Sequence, residues 1–459
     1  MKYAKLKKEW CLRGWNKLPY GIVNHKTGQS SLLTAEVFQA VSACDGIFPF
    51  DSVLLSKKQR QWITELVKKN IVEIFDEPSQ LESYQEYRLS KARYIRKFHW
   101  SITGKCNLKC KHCFLSADVG KYGELSTQEC FNIIDELVEA NVPSVSITGG
   151  EPLVRKDFWQ IVDYLLEKKI AITQIYTNGL LVTDTFLAGL KKREMKCELI
   201  LSFDGCGWHD WLRGVVGVEK KTIEVMKRIV KHGVPLSVET ALHQKNIGSL
   251  LDTYQLLKEI GVSWWKTSVT IETGNWKNDV HEQLDTKVLY DEYLKLIPLY
   301  LKDNSPMDIM LGGFFNCGKN SSAYTIPFEK IRGGDDKSLD CLICQSARVD
   351  IYALPTGKIL PCIPMAGTYL EEKMPSLKTQ KLTEILSESG YLEFINKTIR
   401  ELAVENDCSN CQYLLKCGCG CLAQSIHLAE NGAKIGKDKD ACFFWHNQYD
   451  KLIAEAIAK

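Results

Sequence analysis

From His99 onward the chain alternates short apolar runs with segments whose apolar residues recur every three or four positions. That alternation is the mark of a parallel sheet covered by helices. The apolar runs predict strands at His99–Thr103, Val145–Thr148, Ile170–Tyr176, Glu198–Phe203, Pro235–Thr240 and Val262–Val269. Ser126-Thr-Gln-Glu129 reads as a capping box, opening a helix with Phe131, Ile134 and Val138 on its buried stripe. Phe158, Ile161 and Leu165 mark the next helix, and others are expected near 183–193, 220–232, 249–260 and 287–301. Six βα units are two short of a closed barrel. The expected fold class is therefore α/β, an open, partial (β/α)6 TIM-like barrel whose ligands bind at the strand C-terminal ends.

Different patterning flanks this core. Gly21–His25 and Ser30–Leu33 read as strands around a His25-Lys-Thr-Gly-Gln turn. Thr34 caps a helix through Ala43, and a second helix runs from about Ser56 to Lys69 with Trp62, Leu66 and Val67 on one side. Ile71–Phe75 reads as a returning strand, so hairpin, helices and strand make a small winged-helix unit. The polar stretch 82–95 reads as a linker or connecting helix. After about residue 303 the alternation stops, and Gly, Cys and short strand-like pieces take over. The expected domains are 1–88, 89–303 and 304–459.

Composition narrows the class. The 459 residues are 45% hydrophobic and 25% charged, an ordinary globular balance. A net charge of +3 is too mild to argue for nucleic acid or an acidic membrane. No run of 18 apolar residues would span a bilayer, and no apolar segment follows the basic N-terminus as in a signal peptide. A reducing cytoplasm is the expected location, and there 18 cysteines point to metal ligation before disulfides. They cluster at 106–113, 341–362 and 408–442, while Cys11, Cys44, Cys130, Cys197 and Cys206 read as core thiols.

The first cluster carries the chemistry. Cys106, Cys110 and Cys113 are spaced C-x3-C-x2-C, and three thiols on one loop can hold three irons of a [4Fe–4S] cube and leave the fourth open. Zinc sites use paired C-x2-C halves instead, and free thiols can be plain core residues. Gly149-Gly150-Glu151-Pro152 follows the second strand, Thr177-Asn178-Gly179 the third, and Ser202-Phe-Asp204-Gly205 the fourth. Together with His112 before the last cysteine, these pieces resemble the radical S-adenosylmethionine (AdoMet) superfamily. The resemblance implies that the open iron chelates AdoMet and that a reduced cluster cleaves its sulfonium. The resulting 5′-deoxyadenosyl radical would abstract a substrate hydrogen. It further implies cofactor contacts from His112, Gly149, Gly150, Glu151, Pro152, Asn178, Ser202 and Asp204, with Arg213 as partner of the AdoMet carboxylate. No catalytic base is assigned.

Cys344, Gly357, Cys362, then Cys408-x2-Cys411-x5-Cys417-x3-Cys421 and finally Cys442 resemble the seven-cysteine SPASM domain of radical AdoMet peptide modifiers. That resemblance implies one [4Fe–4S] cluster on Cys408, Cys411, Cys417 and Cys442, and another on Cys344, Cys362 and Cys421. Three clusters are then expected in all. Cys341 is the natural fourth ligand of the second auxiliary cluster, ahead of Cys317 and Cys419, with a substrate thiolate as the alternative. The run Leu33-Thr34, Cys44-Asp45-Gly46 and Asn70-Ile71-Val72 resembles precursor-recognition (PqqD-like) domains of peptide-maturation systems. The implied enzyme is a maturase of ribosomally made peptides that installs an intramolecular crosslink, a Cys thioether ahead of carbon–carbon or carbon–oxygen bonds or epimerisation. Its partners would be a precursor peptide and a one-electron reductant such as flavodoxin or ferredoxin. Sulfatase maturases share the core, but they commonly carry Asp after the second SPASM cysteine, where this chain has Ile363. A bare electron carrier would leave the Gly-Gly-Glu-Pro segment without a purpose.

Overall fold

The computed structural model describes residues 1–331, 334–388, 391, 395–427 and 435–458. Its central element is an open sheet in which strand Lys97–Ser101 is followed by Ser144–Thr148, Ala171–Thr177, Glu198–Ser202, Leu236–Leu242 and Trp264–Val269, each parallel to the last. These six match the expected strands to within two residues at each end. The sheet is wider than six, however. Asp308–Leu311 extends one edge in parallel, and Asp350–Ala353 pairs in parallel with Lys97–Ser101 at the other. Both added strands come from the region expected to be a separate cysteine-rich domain. That region therefore completes the barrel wall as well as carrying thiols.

Helix formation follows the local signals. Ser126 and Glu129 form both halves of the capping box at the start of helix Thr127–Glu139. Its buried stripe is Cys130, Ile133, Ile134 and Leu137, one position back from the expected Phe131 and Val138, which stay half-buried. Full burial of each large aliphatic there contributes about 2 kcal/mol, so the stripe fixes the helix rotation against the sheet. A shift of one residue is about 100° of helix rotation, enough to separate the two faces.

The N-terminal region holds two sheets. Tyr3–Leu6 lies between Asp45–Pro49 and Val72–Phe75, antiparallel to both. Helices Ala35–Ser42 and Lys57–Lys68 pack on it around Leu6, Val41, Ile63 and Val72. Here Ile63 takes the core place expected of Trp62, which remains exposed. The expected hairpin, Leu18–Asn24 with Ser30–Leu32, belongs instead to a second sheet with Trp10–Trp15 and Arg88–Leu89. The hairpin and the returning strand are thus not in one sheet.

The stretch 82–95 is tied down throughout. Gln85 is fully buried and its Nε2 donates to the carbonyls of Leu6, Lys7 and Trp10. Asn141, just before the second barrel strand, donates through Nδ2 to the Gly14 and Arg88 carbonyls, and Trp15 Nε1 donates to the Asn141 carbonyl. A Cβ on Gly28, in the hairpin turn, would sit 2.5 Å from Ser144 Cβ. The N-terminal unit therefore docks where the barrel strands begin, at the end opposite to that where they deliver their C-termini.

Candidate active site

A cavity of about 470 Å³ opens at the C-terminal ends of the barrel strands. Cys106, Cys110 and Cys113 line it with His112, Gly149, Gly150, Asn178, Ser202, Asp204 and Arg213. One space thus gathers residues from four successive strand ends. Glu151 and Pro152, expected as cofactor contacts, stand behind its wall and are buried.

The cysteine loop is held from three sides. Lys109 N and Lys111 N donate to the carbonyls of Arg213 and Leu212, on the short helix His209–Arg213. Gly150 N donates to the Thr103 carbonyl and Glu151 N to that of Lys105. Asn275 N donates to the Cys113 carbonyl, and a Cβ on neighbouring Gly274 would lie 2.1 Å from that same oxygen. A Cβ on Gly150 would meet the Lys105 carbonyl at 2.2 Å, and one on Gly149 the Thr103 carbonyl at 2.7 Å. In this structure the two glycines admit the cysteine-loop backbone itself, a closer constraint than the approach of a cofactor.

Glu151 is bound to neighbouring strand ends. Its carboxylate is wholly buried and accepts from Thr177 Oγ1 at 2.8 Å, Asn178 N at 2.7 Å and Leu153 N at 3.1 Å. It joins the second strand end to the third and so sets Asn178, whose Nδ2 donates to Asn107 Oδ1 at 2.7 Å inside the cysteine loop. Burial pushes the Glu151 carboxyl up to about 7, against the pull of these three donors.

Arg213 is committed to Asp204. Its Nε donates to Asp204 Oδ2 at 2.6 Å and its Nη2 to Oδ1 at 3.1 Å, a bidentate pair with both side chains buried. Its Nη1 faces Cys110 Sγ at 3.6 Å. Asp204 thus fills the guanidinium fork from within the protein. Ala241 N donates to Asp204 Oδ1, and Asp204 N donates to His209 Nδ1. Burial opposes ionisation of Asp204, but the Arg213 charge overrides it and holds the carboxyl well below the usual range.

The donor set fits an iron-sulfur cluster with AdoMet. Burial pushes the Cys106 thiol up to about 12, reinforced by Cys110 and Cys113, so forming thiolates there is coupled to binding a cationic centre. His112 Nδ1 is buried without a hydrogen-bond partner among the described residues, and burial lowers the ring to about 3, leaving a neutral imidazole against the cavity. Sequence reasoning missed Tyr176, the ion pair of Glu239 with Lys266 at 2.9 Å and Pro364 as lining residues, while Ile363, singled out as the residue after Cys362, lines the cavity beside Pro364. The polar three lie on strands and were legible only as strand residues. The last two reach the cavity because Asp350–Ala353 joins the barrel sheet and delivers the chain to its C-terminal end.

The later cysteines fall in two places. Cys408, Cys411, Cys417 and Cys442 line one small cavity, together with Cys419. Cys344 and Cys421 both act on Cys362, whose thiol is pushed up first by burial and then by them. Asp438 links the two groups: its Oδ2 accepts from Cys421 N at 2.7 Å while its Oδ1 caps the helix Lys439–His446 that carries Cys442. Cys419 belongs to the first cavity, and Cys317 donates its thiol to the Ser321 carbonyl within the main sheet. Cys341 is exposed, three residues before Cys344.

Residues 100–257 match the Radical SAM superfamily. The AdoMet-dependent heme synthase of Oleidesulfovibrio alaskensis is 26% identical over 348 residues, covering 73% of this chain and 86% of that protein. The antilisterial bacteriocin subtilosin biosynthesis protein AlbA of Bacillus subtilis is 27% identical over 267 residues, covering 57% of this chain and 54% of that protein. Streptococcus suis SuiB bound to its precursor peptide SuiA shares the fold, with a TM-score of 0.63 at 15% identity over 96% of this chain and all of that one. Among the described residues no helix is long and apolar enough to cross a membrane. The three-thiol loop lies within residues 100–257 and, with the strand-end cavity around it, gives this chain a radical SAM domain.

Proposed function

We propose that this enzyme abstracts a hydrogen atom from a ribosomally made precursor peptide and closes an intramolecular crosslink, a Cys thioether. The observation that carries the reading is that the segment next to Cys362 reaches the cavity of the first thiol loop. Ile363 and Pro364 follow Cys362 directly in the chain and line the same space as Cys106, Cys110 and Cys113. When bound, AdoMet and the iron-sulfur clusters supply one-electron cleavage of the sulfonium and uptake of the electron left after ring closure. Cys106, Cys110 and Cys113 would hold the AdoMet-binding cluster. Cys408, Cys411, Cys417 and Cys442 would hold one auxiliary cluster, and Cys344, Cys362 and Cys421 another, with Cys341 as its fourth ligand. Asn178 and Ser202 line the wall for AdoMet, and Ile363 gives the substrate an apolar contact where sulfatase maturases offer a carboxylate. Flavodoxin or ferredoxin would be the reductant.

The named relatives support a peptide substrate: AlbA acts in subtilosin biosynthesis, and SuiB is seen with its precursor peptide. The N-terminal unit, read as a precursor-recognition domain, would take the leader as an added strand. It docks at the strand starts, so the path to the cavity runs along the barrel. A strand of seven residues spans about 23 Å, and roughly seven extended residues must separate leader from modified site. A second reading, a heme-forming enzyme, is favoured by the broad similarity to the heme synthase. Anaerobic turnover with AdoMet and a small Cys-containing peptide, sought among the open reading frames beside this gene, separates the two. A peptide two hydrogens lighter, with thiols blocked to alkylation, supports the thioether. The same loss with free thiols moves the bond to carbon or oxygen, and an unchanged mass with deoxyadenosine formed points to epimerisation. An unmodified peptide alongside heme formed from a tetrapyrrole precursor would establish the second reading.

A further inference from the structure

A second cavity, of about 270 Å³, lies on the seam where the N-terminal unit docks on the barrel, at the end away from the cysteine loop. Lys8 and Lys26 come from the N-terminal unit, and Lys169 and Arg193 from the barrel; Glu9 is the sole acid in the wall. Arg193 is already paired with Asp163, and Lys26 with Glu194 at 3.3 Å. Lys8 and Lys169 have no carboxylate partner among the described residues.

The site is built rather than accidental. Lys169 has φ +62°, a left-handed turn after the helix Phe158–Glu167, and its Nζ stands 4.9 Å over the Tyr84 ring. Tyr84 OH donates to the Lys8 carbonyl at 2.9 Å, and His25 Nε2 lies 3.0 Å from the same oxygen. Backbone and ring thus hold two unneutralised lysines at one opening. His25 is nearly buried, and its burial, with Lys169 and Lys26 beside it, disfavours a further positive charge there. A cavity with this excess of cations calls for an anion.

We propose that this seam cavity binds the carboxylates of an acidic peptide segment. The cations are separate side chains spread around the opening, with Leu166 and Tyr84 between them. Several carboxylates on an extended chain suit that spacing, and the apolar wall suits the methylenes that carry them. The inference rests on the peptide reading only in that this enzyme receives a peptide; it is independent of the bond formed.

The test is fluorescence anisotropy of labelled hexaglutamate with the anaerobically reconstituted full chain. The expected result is saturable binding that weakens as salt rises. Removing one exposed cation weakens such contacts roughly fivefold, so K8A/K169A is expected to bind at least tenfold more weakly. K8R/K169R restores binding, and K295A/K302A, on a distant helix, leaves it unchanged. No binding of hexaglutamate, equal binding by K8A/K169A, or full displacement by an equal concentration of inorganic phosphate would each overturn the proposal. Anisotropy needs neither AdoMet cleavage nor crosslinking, so loss of those activities with binding intact would count against the function proposed above and leave this site standing.

Discussion

Replacing Arg213 with Met probes the internal ion pair that steadies the cysteine loop. Asp204 is fully buried and takes two hydrogen bonds from this guanidinium, at 2.6 and 3.1 Å. Removing one partner of a buried pair costs about 3–5 kcal/mol, because the other charge is left unpaired. Ala241 N still donates to Asp204 at 3.0 Å and His209 stays beside it, which places the expected loss near the lower end, about 3 kcal/mol or roughly a hundredfold in the folding equilibrium. Adding Asp204→Asn removes the stranded charge while keeping an acceptor for Ala241 N. The double variant is therefore expected to regain about half the loss or more, giving a coupling energy of about 1–3 kcal/mol in a double-mutant cycle. Urea unfolding of the anaerobic apo chain by tryptophan fluorescence measures this. The Arg213 and Leu212 carbonyls also receive Lys109 N and Lys111 N, so R213M is expected to retain less iron at the first loop after reconstitution. A cost for R213M below about 1 kcal/mol, or a double variant no better than the sum of the singles, would refute the reasoning.

Three further outcomes are expected. Burial holds the Glu151 carboxyl at about 7 against an ordinary 4.5, so the folded chain binds that proton more tightly than the unfolded one. Its contribution is greatest below about pH 4.5 and falls by about 3 kcal/mol as pH rises through about 7; in E151Q, unfolding measured at pH 5 and pH 7.5 should lose that part of the slope. Gly150→Ala places a methyl 2.2 Å from the Lys105 carbonyl, so reconstitution is expected to lose the iron of the first cluster while the C-terminal thiols keep theirs, as counted by iron analysis and electron paramagnetic resonance. Cys341→Ala is expected to leave the Cys408 group intact and to alter only the signal of the other auxiliary cluster; an unchanged spectrum would remove Cys341 as a ligand.

What the sequence disclosed and what it concealed divide along physical lines. The capping box at Ser126, the helix start at Thr34 and the thiol spacing are local, and each appears in place. Residues bearing chemistry at strand ends, such as Asn178 and Asp204, were legible because a parallel sheet brings successive strand ends together. Partner choice was not legible. Glu151 and Arg213 were identified by type, yet each is satisfied inside the protein, Glu151 by Thr177 and Asn178 one strand further on and Arg213 by Asp204 nine residues before it. Strand Asp350–Ala353 was hidden for a similar reason: pairing with Lys97–Ser101 spans some 250 residues and leaves no local mark. The one-position rotation of the stripe on Thr127–Glu139 reflects competition between neighbouring apolar residues that only packing decides.

The central claim is that one strand-end cavity serves both AdoMet cleavage and peptide crosslinking. The most direct measurement is anaerobic turnover of the reduced, reconstituted enzyme with AdoMet and a candidate Cys-containing precursor peptide, following 5′-deoxyadenosine and peptide mass together. The account predicts deoxyadenosine formed in step with a peptide two hydrogens lighter whose thiols resist alkylation. A well-formed cluster at Cys106, Cys110 and Cys113 that yields no deoxyadenosine would contradict it.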